Sequence, residues 1–399
     1  MTFPLISLSV PVYGTESSLP ALLDSILAQS FSADSVGRED AFSHQEDTVR
    51  SLHSLRLHHS LQSPRRAQSR IANHDSLRSL RSLRFPPIEI LIVNDGSPGG
   101  DALPKILKPY KKKFKNLGVP LTLLEHRKNM GLFEARRTGA IAASGEWVCC
   151  IDSDDTLPPD ALLNFYEGLL ASGNGTLANA ADIIHGKMDL TVRDTDKIDA
   201  EDRKRFEQKA EIVKSVFNGS LSGNEILDNF LIKKEHNGFL CAKLFRTRIL
   251  RSVYEKLPHT YCINAEDLLL YFFILLEKPS YYGIDNTVYN YSQDSGITST
   301  NQITNLERWE KVCSTSSVFT LIFSYLDEHP FPEDSAPALI KELRAICNTY
   351  LASNINQLKR LVSPSLQAEA YAMLCDYWGE DYVKQIEKAN ANTCTSGPL

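Results

Sequence analysis

The chain has 399 residues, 42% hydrophobic and 23% charged, the balance of an ordinary globular protein long enough for two or three domains. Its formal net charge of −6 argues against a nucleic-acid-binding protein, because such proteins usually carry a basic excess. The sequence has no apolar run of the roughly 18 residues that a membrane span requires, and the N-terminus lacks the features of a signal peptide. We therefore expect a cytoplasmic protein.

The first half of the chain alternates predicted strands and helices. β-rich runs end in polar turns near residues 13, 97, 126 and 152, and each is followed by a stretch with apolar residues at helical spacing. This alternation predicts an α/β fold with a mainly parallel sheet that helices cover on both faces.

Beyond residue 182 the pattern changes. We expect a strand at "DIIHGKMDL", helices at "GNEILDNFLI" and "NAEDLLLYFFILLE", a strand pair at "YYGIDNTVYNY", and only helices from about Leu306 onward. The predicted organisation is an α/β domain over residues 1–300 and a helical region over residues 301–399.

A low-complexity segment, residues 32–86, interrupts the first domain. It is rich in Ser, Leu, Arg and His, and its Ser-Leu-Arg triplets repeat every three residues, a period of neither helix nor strand. We expect a flexible surface insertion, since a connection of this length without structure is unusual inside a compact domain. It is either inert or the site of a peripheral contact with a membrane or a partner.

Acidic residues follow two of the predicted strands. Asp95 lies in an Asp-Gly turn, and Asp152, Asp154 and Asp155 come directly after a buried strand. The carboxyl edge of an open α/β sheet is where ligands bind. Asp95 is either a turn and helix cap or a ligand contact. One acid would suffice to cap the helix after the second cluster, so three favour a site for Mg²⁺ or Mn²⁺.

Four stretches together resemble family 2 glycosyltransferases. They are "SLSVPVYGTESSLPALLDSILAQSF", "IEILIVNDGS", "NMGLFEARRTGAIAASGEWVCCIDSDDTLPPD" and "NAEDLLLYFF". The resemblance covers residues 3–300 apart from the insertion. It implies a GT-A (Rossmann-like) fold and an inverting enzyme that uses a nucleotide-diphospho-sugar, with UDP-sugars expected, and a divalent metal. The acceptor would be saccharide, lipid-linked or protein-linked, and the enzyme would act in the cytoplasm or at the inner face of the membrane.

The resemblance also implies roles for individual residues. The nucleotide pocket would be bordered by Pro11, Val12 and Tyr13, and Asp95 would contact the uracil or ribose. The donor site would be lined by Asn129, Gly131 and Arg136. The D-x-D motif, Asp152 and Asp154 with Asp155 beside them, would hold the metal, and Asp152 would also face the donor. Asp267 would be the catalytic base, with Glu266 the less favoured alternative; without the upstream motifs both would be read as acids that start a helix.

Some positions depart from the family's pattern or are left open. Gly14 stands where the family usually has Asn, and Arg137 stands where it usually has Asn after Ala-Arg. Arg137 would either touch phosphate or lie on the helix surface, and Lys243 and Arg246 would either orient a phosphate or pack their stems on the surface.

Two other functions remain as alternatives. The run D-S-D-D-T also fits the nucleophile motif of haloacid-dehalogenase-type phosphatases, with Asp152 as nucleophile, although that motif normally follows the first strand of its domain. The third class is an inactive sugar-nucleotide-binding protein.

Overall fold

The computed structural model describes residues 5–29, 87–191, 200–292 and 302–394. The predicted insertion at 32–86 lies outside the described residues. Within them the chain forms eight strands that join in a single sheet, with thirteen α-helices along the chain.

The strands are short, apart from one. Their bounds are β1 Ile6–Val12, β2 Ile88–Asn94, β3 Leu121–Glu125, β4 Trp147–Cys150, β5 Ile183–Thr191, β6 Gly219–Ser222, β7 Lys243–Arg246 and β8 Ser280–Ser292. Every residue of β1, β2 and β4 is buried, which agrees with strands covered on both faces.

The helices fall between the strands and then take over the chain. Their bounds are α1 Leu19–Leu27, α2 Leu103–Asn116, α3 Leu132–Ala142, α4 Ala161–Ser172, α5 Ala200–Lys214, α6 Asn224–Asp228, α7 Thr247–Lys256, α8 Glu266–Leu276, α9 Leu306–Cys313, α10 Thr315–Glu328, α11 Ala336–Leu361, α12 Gln367–Trp378 and α13 Glu380–Cys394. The α/β fold and the helical C-terminal region predicted from the sequence are confirmed.

The strand order is β3-β2-β1-β4-β7-β5-β8-β6. The β3–β2, β2–β1 and β1–β4 pairs are parallel, as the alternation of strands and helices predicts. The other half is mixed, because β7 pairs antiparallel with both β4 and β5, and β6 pairs antiparallel with β8. The expectation of a mainly parallel sheet therefore holds for the half that carries the four predicted polar turns, and the other half is mixed.

Two predicted elements differ in the structure. The expected strand pair at 281–291 is one continuous strand, β8, which pairs parallel with β5 through register shifts near Lys187. Residues 284–286 fall at a register shift in this pairing, and the strand continues because Gly283 before them and Thr287 after them both pair with β5. The expected helix at 223–232 is only the short α6, which continues as a π-helical turn over Asn229–Lys233.

The hydrophobic core lies on both faces of the sheet. One cluster packs α1, α2 and α4 against the strands, with Leu23, Leu107 and Phe165 fully buried. A second cluster on the other face joins α3, α7 and α8 and includes Phe319 of α10, so the C-terminal helices pack directly on the α/β domain. Among the described residues, no helix is long and apolar enough to span a membrane.

Candidate functional site

Parallel pairing brings three of the predicted strand ends to one edge of the sheet. Val12 at the end of β1 pairs with Asn94 at the end of β2, and its carbonyl accepts a hydrogen bond from the Asp95 amide at 3.0 Å. On the other side of β1, the Ile151 amide donates to the Ser9 carbonyl at 3.0 Å. The turns that follow β1, β2 and β4 therefore lie beside one another, at the edge where open α/β sheets bind ligands.

Arg136 of α3 joins two of the predicted acidic motifs. Its guanidinium lies 2.8 Å from Asp152 Oδ1 and 2.7 Å from Glu266 Oε1, and it also contacts Asp267 Oδ1. The Arg136 side chain is only 2% exposed. A residue predicted to line the donor site is thus the cation that holds the acidic turn after β4 against the start of α8.

The backbone around these residues adopts uncommon conformations. Gly131, just before α3, has φ +94°, and a Cβ there would lie 3.3 Å from the Cys262 carbonyl oxygen. Ala265, just before α8, has φ +63°, in a region that L-residues rarely adopt. Such conformations persist where surrounding contacts enforce them and are common at functional sites. Here they bring the starts of α3 and α8 together.

The charges in this cluster shift one another's ionisation. Burial alone would lower the pKa of Arg136, but the charges of Asp267, Asp152 and Glu266 raise it well above its usual value. Burial, and then the nearby charge of Asp267, raise the pKa of Glu266 well above its usual value, against the opposing effect of Arg136. Glu266 is the more buried of the pair, with 8% of its side chain exposed against 21% for Asp267, so Asp267 is the acid that a substrate can reach.

The turn after β4 is held by β8. The Tyr289 hydroxyl accepts from the Asp152 amide at 3.0 Å and donates to Asp155 Oδ2 at 2.7 Å. The Ser292 amide donates to Asp155 Oδ1 at 2.7 Å. Burial, followed by the charge of Asp152, raises the pKa of Asp155 to about 8. Asp155 was predicted as a metal ligand, but in this conformation both of its oxygens accept hydrogen bonds from β8.

Asp152 and Asp154 remain the acids of this turn that are partly exposed. Within the described residues, no three acidic, His or Cys side chains converge as a metal-binding group. Two carboxylates nevertheless fit Mg²⁺ or Mn²⁺, because Mg²⁺ is often bound by one or two carboxylates together with substrate phosphates and water. The donor set fits a metal that arrives with a diphosphate better than one held by the protein alone.

Asp95 is 2% exposed, and its carboxylate receives three hydrogen bonds. The Met130 and Gly131 amides donate to it at 2.9 Å each, and His126 Nδ1 lies 2.7 Å away. Asn129 Oδ1 also accepts from the Gly131 amide, at 3.1 Å. The Asp95 carboxylate thus caps the loop before α3 and not the helix after β2, and its contact with the uracil or ribose stays a prediction.

The last predicted residues lie at the end of β1. Pro11 and Val12 are buried within the sheet, and Tyr13 is partly exposed. The Lys311 ammonium of α9 lies 5.2 Å from the centre of the Tyr13 ring. The C-terminal helical region therefore reaches the predicted nucleotide end of the site, a contact that the sequence analysis missed because nothing in the local pattern at Lys311 points to Tyr13.

The three cations left open in the sequence have structural partners. Arg137 is buried and donates to the carbonyls of Tyr254, Leu257 and Pro258, so it neither faces phosphate nor lies on the surface. Arg246 pairs with Glu146 and Asp182. Lys243 is fully buried.

The tyrosine that holds the acidic turn was also missed. Tyr289 was read as part of a strand, and its only signal was a buried aromatic position in an alternating run. The seven cysteines from Cys149 to Cys375 are unpaired, and six of them are buried.

Residues 74–252 match a protein-family model described as "Glycosyl transferase family 2". Putative glycosyltransferase EpsH of Bacillus subtilis (strain 168) is 33% identical over 150 residues, which is 37% of this chain and 39% of that protein. Poly-beta-1,6-N-acetyl-D-glucosamine synthase of Staphylococcus epidermidis is 32% identical over 117 residues, 28% of this chain and 27% of that protein. The matched region thus spans well under half the length of these relatives.

The chain is less similar in sequence to solved structures than to these relatives. S. aureus TarS 1-349 in complex with UDP-GlcNAc has 15% sequence identity and a TM-score of 0.47, with 98% of this chain and 92% of that one covered.

Proposed function

We propose that this chain, whose residues 74–252 match the family 2 glycosyltransferase model, moves a hexosyl or N-acetylhexosaminyl group from a nucleotide-diphospho-sugar to an acceptor hydroxyl, with inversion and with the help of a divalent metal. The observation that carries this proposal is the convergence of the acidic turn after β4 and the acid pair of α8 on the Arg136 guanidinium. The two acidic groups that the reaction needs thereby lie within one site.

Inversion by a single displacement needs one carboxylate that takes the proton of the attacking hydroxyl. Asp267 is our candidate because it is the more exposed of the pair and lies at the start of a rigid, apolar helix. Arg136 and the Leu240 amide, 3.4 Å from Asp267 Oδ2, fix the orientation of its carboxylate. Glu266 is the more buried of the two acids, and its contact with Arg136 at 2.7 Å keeps the guanidinium in place.

On the donor side, Asp152 and Asp154 would hold Mg²⁺ or Mn²⁺ at the edge of the sheet. When bound, the metal would stabilise the negative charge that develops on the departing diphosphate. Tyr289 fixes the backbone of this turn through the Asp152 amide. The Asp95 contacts to the loop before α3 shape the neighbouring wall, where Tyr13 would border the nucleotide.

The relatives indicate which donor to test first. One matched protein is named a poly-β-1,6-N-acetyl-D-glucosamine synthase, which supports N-acetylglucosamine as the transferred sugar and a role in polysaccharide or glycan synthesis. Since the family resemblance implies UDP-sugars, UDP-N-acetylglucosamine is our first candidate donor. The acceptor would be a saccharide, free or linked to lipid or protein.

A thermal-shift panel tests the proposal. UDP, UDP-N-acetylglucosamine, UDP-glucose and GDP-mannose are each added with Mn²⁺, Mg²⁺ or a chelator. We expect at least one UDP compound with metal to raise the melting temperature by several degrees, because a ligand at 100 times its dissociation constant stabilises by about 2.7 kcal/mol.

The matched control is Asp154→Asn, a near-isosteric change in the acidic turn. This variant should melt close to the wild type without ligand and lose the metal-dependent part of the shift. The contrary outcome has two parts: no nucleotide or nucleotide-sugar raises the melting temperature of the wild type, and the wild-type protein releases phosphate from p-nitrophenyl phosphate. In that case the phosphatase alternative replaces this proposal.

A further inference from the structure

Lys243 is a charged side chain inside the sheet. It begins β7, and it is 0% exposed. A buried ammonium is costly unless its hydrogens find acceptors and a charge lies nearby. Lysine is therefore rarely kept in such a position without a specific set of partners.

The partners of Lys243 lie in the segment just before it, Asn237–Cys241, here called the 237–241 segment. Lys243 Nζ donates to the Phe239 carbonyl at 2.5 Å and to Asn237 Oδ1 at 2.9 Å. Asn237 Oδ1 also accepts from the Phe239 amide at 3.2 Å. The ammonium lies 5.2 Å from the centre of the Tyr271 ring, which gives it a third favourable contact.

The other end of the same segment contacts the candidate site. The Leu240 amide donates to Asp267 Oδ2 at 3.4 Å, and the Cys241 thiol lies 3.6 Å from Asp152 Oδ2. Ala242, between Cys241 and Lys243, has φ +59°. This conformation costs an L-residue about 1–2 kcal/mol, so the contacts on either side must hold it in place.

We propose that Lys243 is a positioning residue, which fixes the 237–241 segment so that its Leu240 amide and Cys241 thiol orient the carboxylates of Asp267 and Asp152. The inference rests on the proposed function, because it assigns those two carboxylates to the base and to the metal and donor side. Lys243 itself touches neither substrate nor metal. It acts through the backbone of one five-residue segment on two acids that Arg136 also holds.

Charged and titratable groups surround Lys243 from several elements. Burial lowers the pKa of Lys243 to about 7, against the raising effect of Asp267 and Cys241. His185 of β5 and His236 of the loop before β7 both lie near enough for the charge of Lys243 to lower their pKa, after the larger effect of their own burial. Both imidazoles are therefore neutral near pH 7. Of Lys243, His185 and His236, Lys243 is the one that changes charge near pH 7.

The test uses Lys243→Met, which keeps the length and volume of the stem and removes the ammonium. The probe is release of UDP from UDP-N-acetylglucosamine, or from whichever donor shifts the wild type. We expect kcat to fall about 10- to 100-fold, since small misplacements of catalytic groups have effects of this size. The KM for the donor should change less than kcat, because only one of the two affected carboxylates, Asp152, lies on the donor side.

A pH profile separates positioning from a general loss of stability. The wild-type kcat should show an inflection near pH 7 that Lys243→Met lacks. Asn237→Ala, which removes one acceptor of the ammonium and keeps the lysine, should lower kcat in the same direction and serves if the methionine variant does not fold. Asn354→Ala is the matched control: it removes a buried amide that donates to the Val312 carbonyl in the C-terminal helices and should leave kcat unchanged.

The outcomes separate the two proposals. A wild type that releases UDP from no donor defeats the proposed function. If the wild type is active and Lys243→Met has the same kcat and the same pH profile, the positioning role alone is wrong. Where Lys243→Met does not fold, the same result for Asn237→Ala has the same consequence.

Discussion

Arg136 carries one positive charge against three carboxylates, so the cluster has a surplus of negative charge whenever all three are ionised. Burial raises the pKa of Glu266, and the negative charge of Asp267 raises it further. Like charges in a shared site push one pKa up, and a cation relieves them. A divalent ion on the Asp152 side would relieve the same surplus, which links metal binding to the state of the acid pair on α8.

The residue types of this cluster could be predicted from sequence, but their contacts could not. Arg136, Asp152 and Asp267 were each assigned from motifs of known order. Arg136 and Asp267 are separated by 131 positions, and only the folded sheet and the starts of α3 and α8 bring them together. The single buried cation that serves both acidic motifs is therefore a result of the structure.

Lys243 also predicts how folding stability depends on pH. Its pKa is about 7 in the folded protein and near 10.4 in an unfolded chain, so between these values the unfolded state binds more protons and stability rises with pH. The melting temperature of the wild type minus that of Lys243→Met should therefore increase from pH 7 to pH 9. The limiting slope is about 1.4 kcal/mol per pH unit. A difference that stays constant across this range, measured by calorimetry, would contradict the shift.

β8 supports the acidic turn through both its backbone and its side chains. Thr156 and Asn290 form an isolated antiparallel bridge, with the Asn290 amide donating at 2.9 Å and the Thr156 amide at 3.3 Å. Tyr289 and Ser292 add the hydrogen bonds to Asp152 and Asp155. A strand that runs beside β5 thus fixes the turn at the far end of β4.

Tyr289→Phe tests that support at the level of the element. The change removes one hydroxyl and leaves the Asp152 amide and an Asp155 oxygen without their partner in a buried place, which should cost about 1–3 kcal/mol of stability. Metal-dependent donor binding should weaken as well, since the turn that holds the metal loses its support. Tyr282→Phe, on the same strand but outside the acidic turn, is the control. Unchanged melting and donor affinity in Tyr289→Phe would show that β8 does not order the turn.

The elements themselves were predictable where the pattern was local. The strands β1, β2 and β4 are β-rich runs that end in polar turns, and each observed strand ends within a few residues of its predicted turn. The second half of the sheet was not predictable, because β7 inserts antiparallel between β4 and β5, and no periodicity of its own four residues encodes that placement. The continuity of β8 was likewise not predictable, because it depends on pairing with β5 before and after residues 284–286.

At the scale of the whole molecule, the C-terminal helices belong to the same packed body as the sheet. Phe319 and Leu343 share a hydrophobic cluster with α8, the helix that begins with the candidate base. Lys311 of α9 reaches the Tyr13 ring at the end of β1. The sequence predicted these helices but not the face on which they pack, because that depends on residues brought together from both halves of the chain.

The central claim is that Asp267 is the base of a sugar transfer from a nucleotide donor, and the kinetics of Asp267→Asn test it most directly. The measurement is kcat for UDP release or sugar transfer, for wild type and variant, with the thermal shift by UDP and Mn²⁺ recorded for both. We expect kcat to fall about 10²- to 10⁴-fold, the usual contribution of a general base, while the UDP shift is retained. A variant that binds UDP and turns over the donor at the wild-type rate would contradict the assignment.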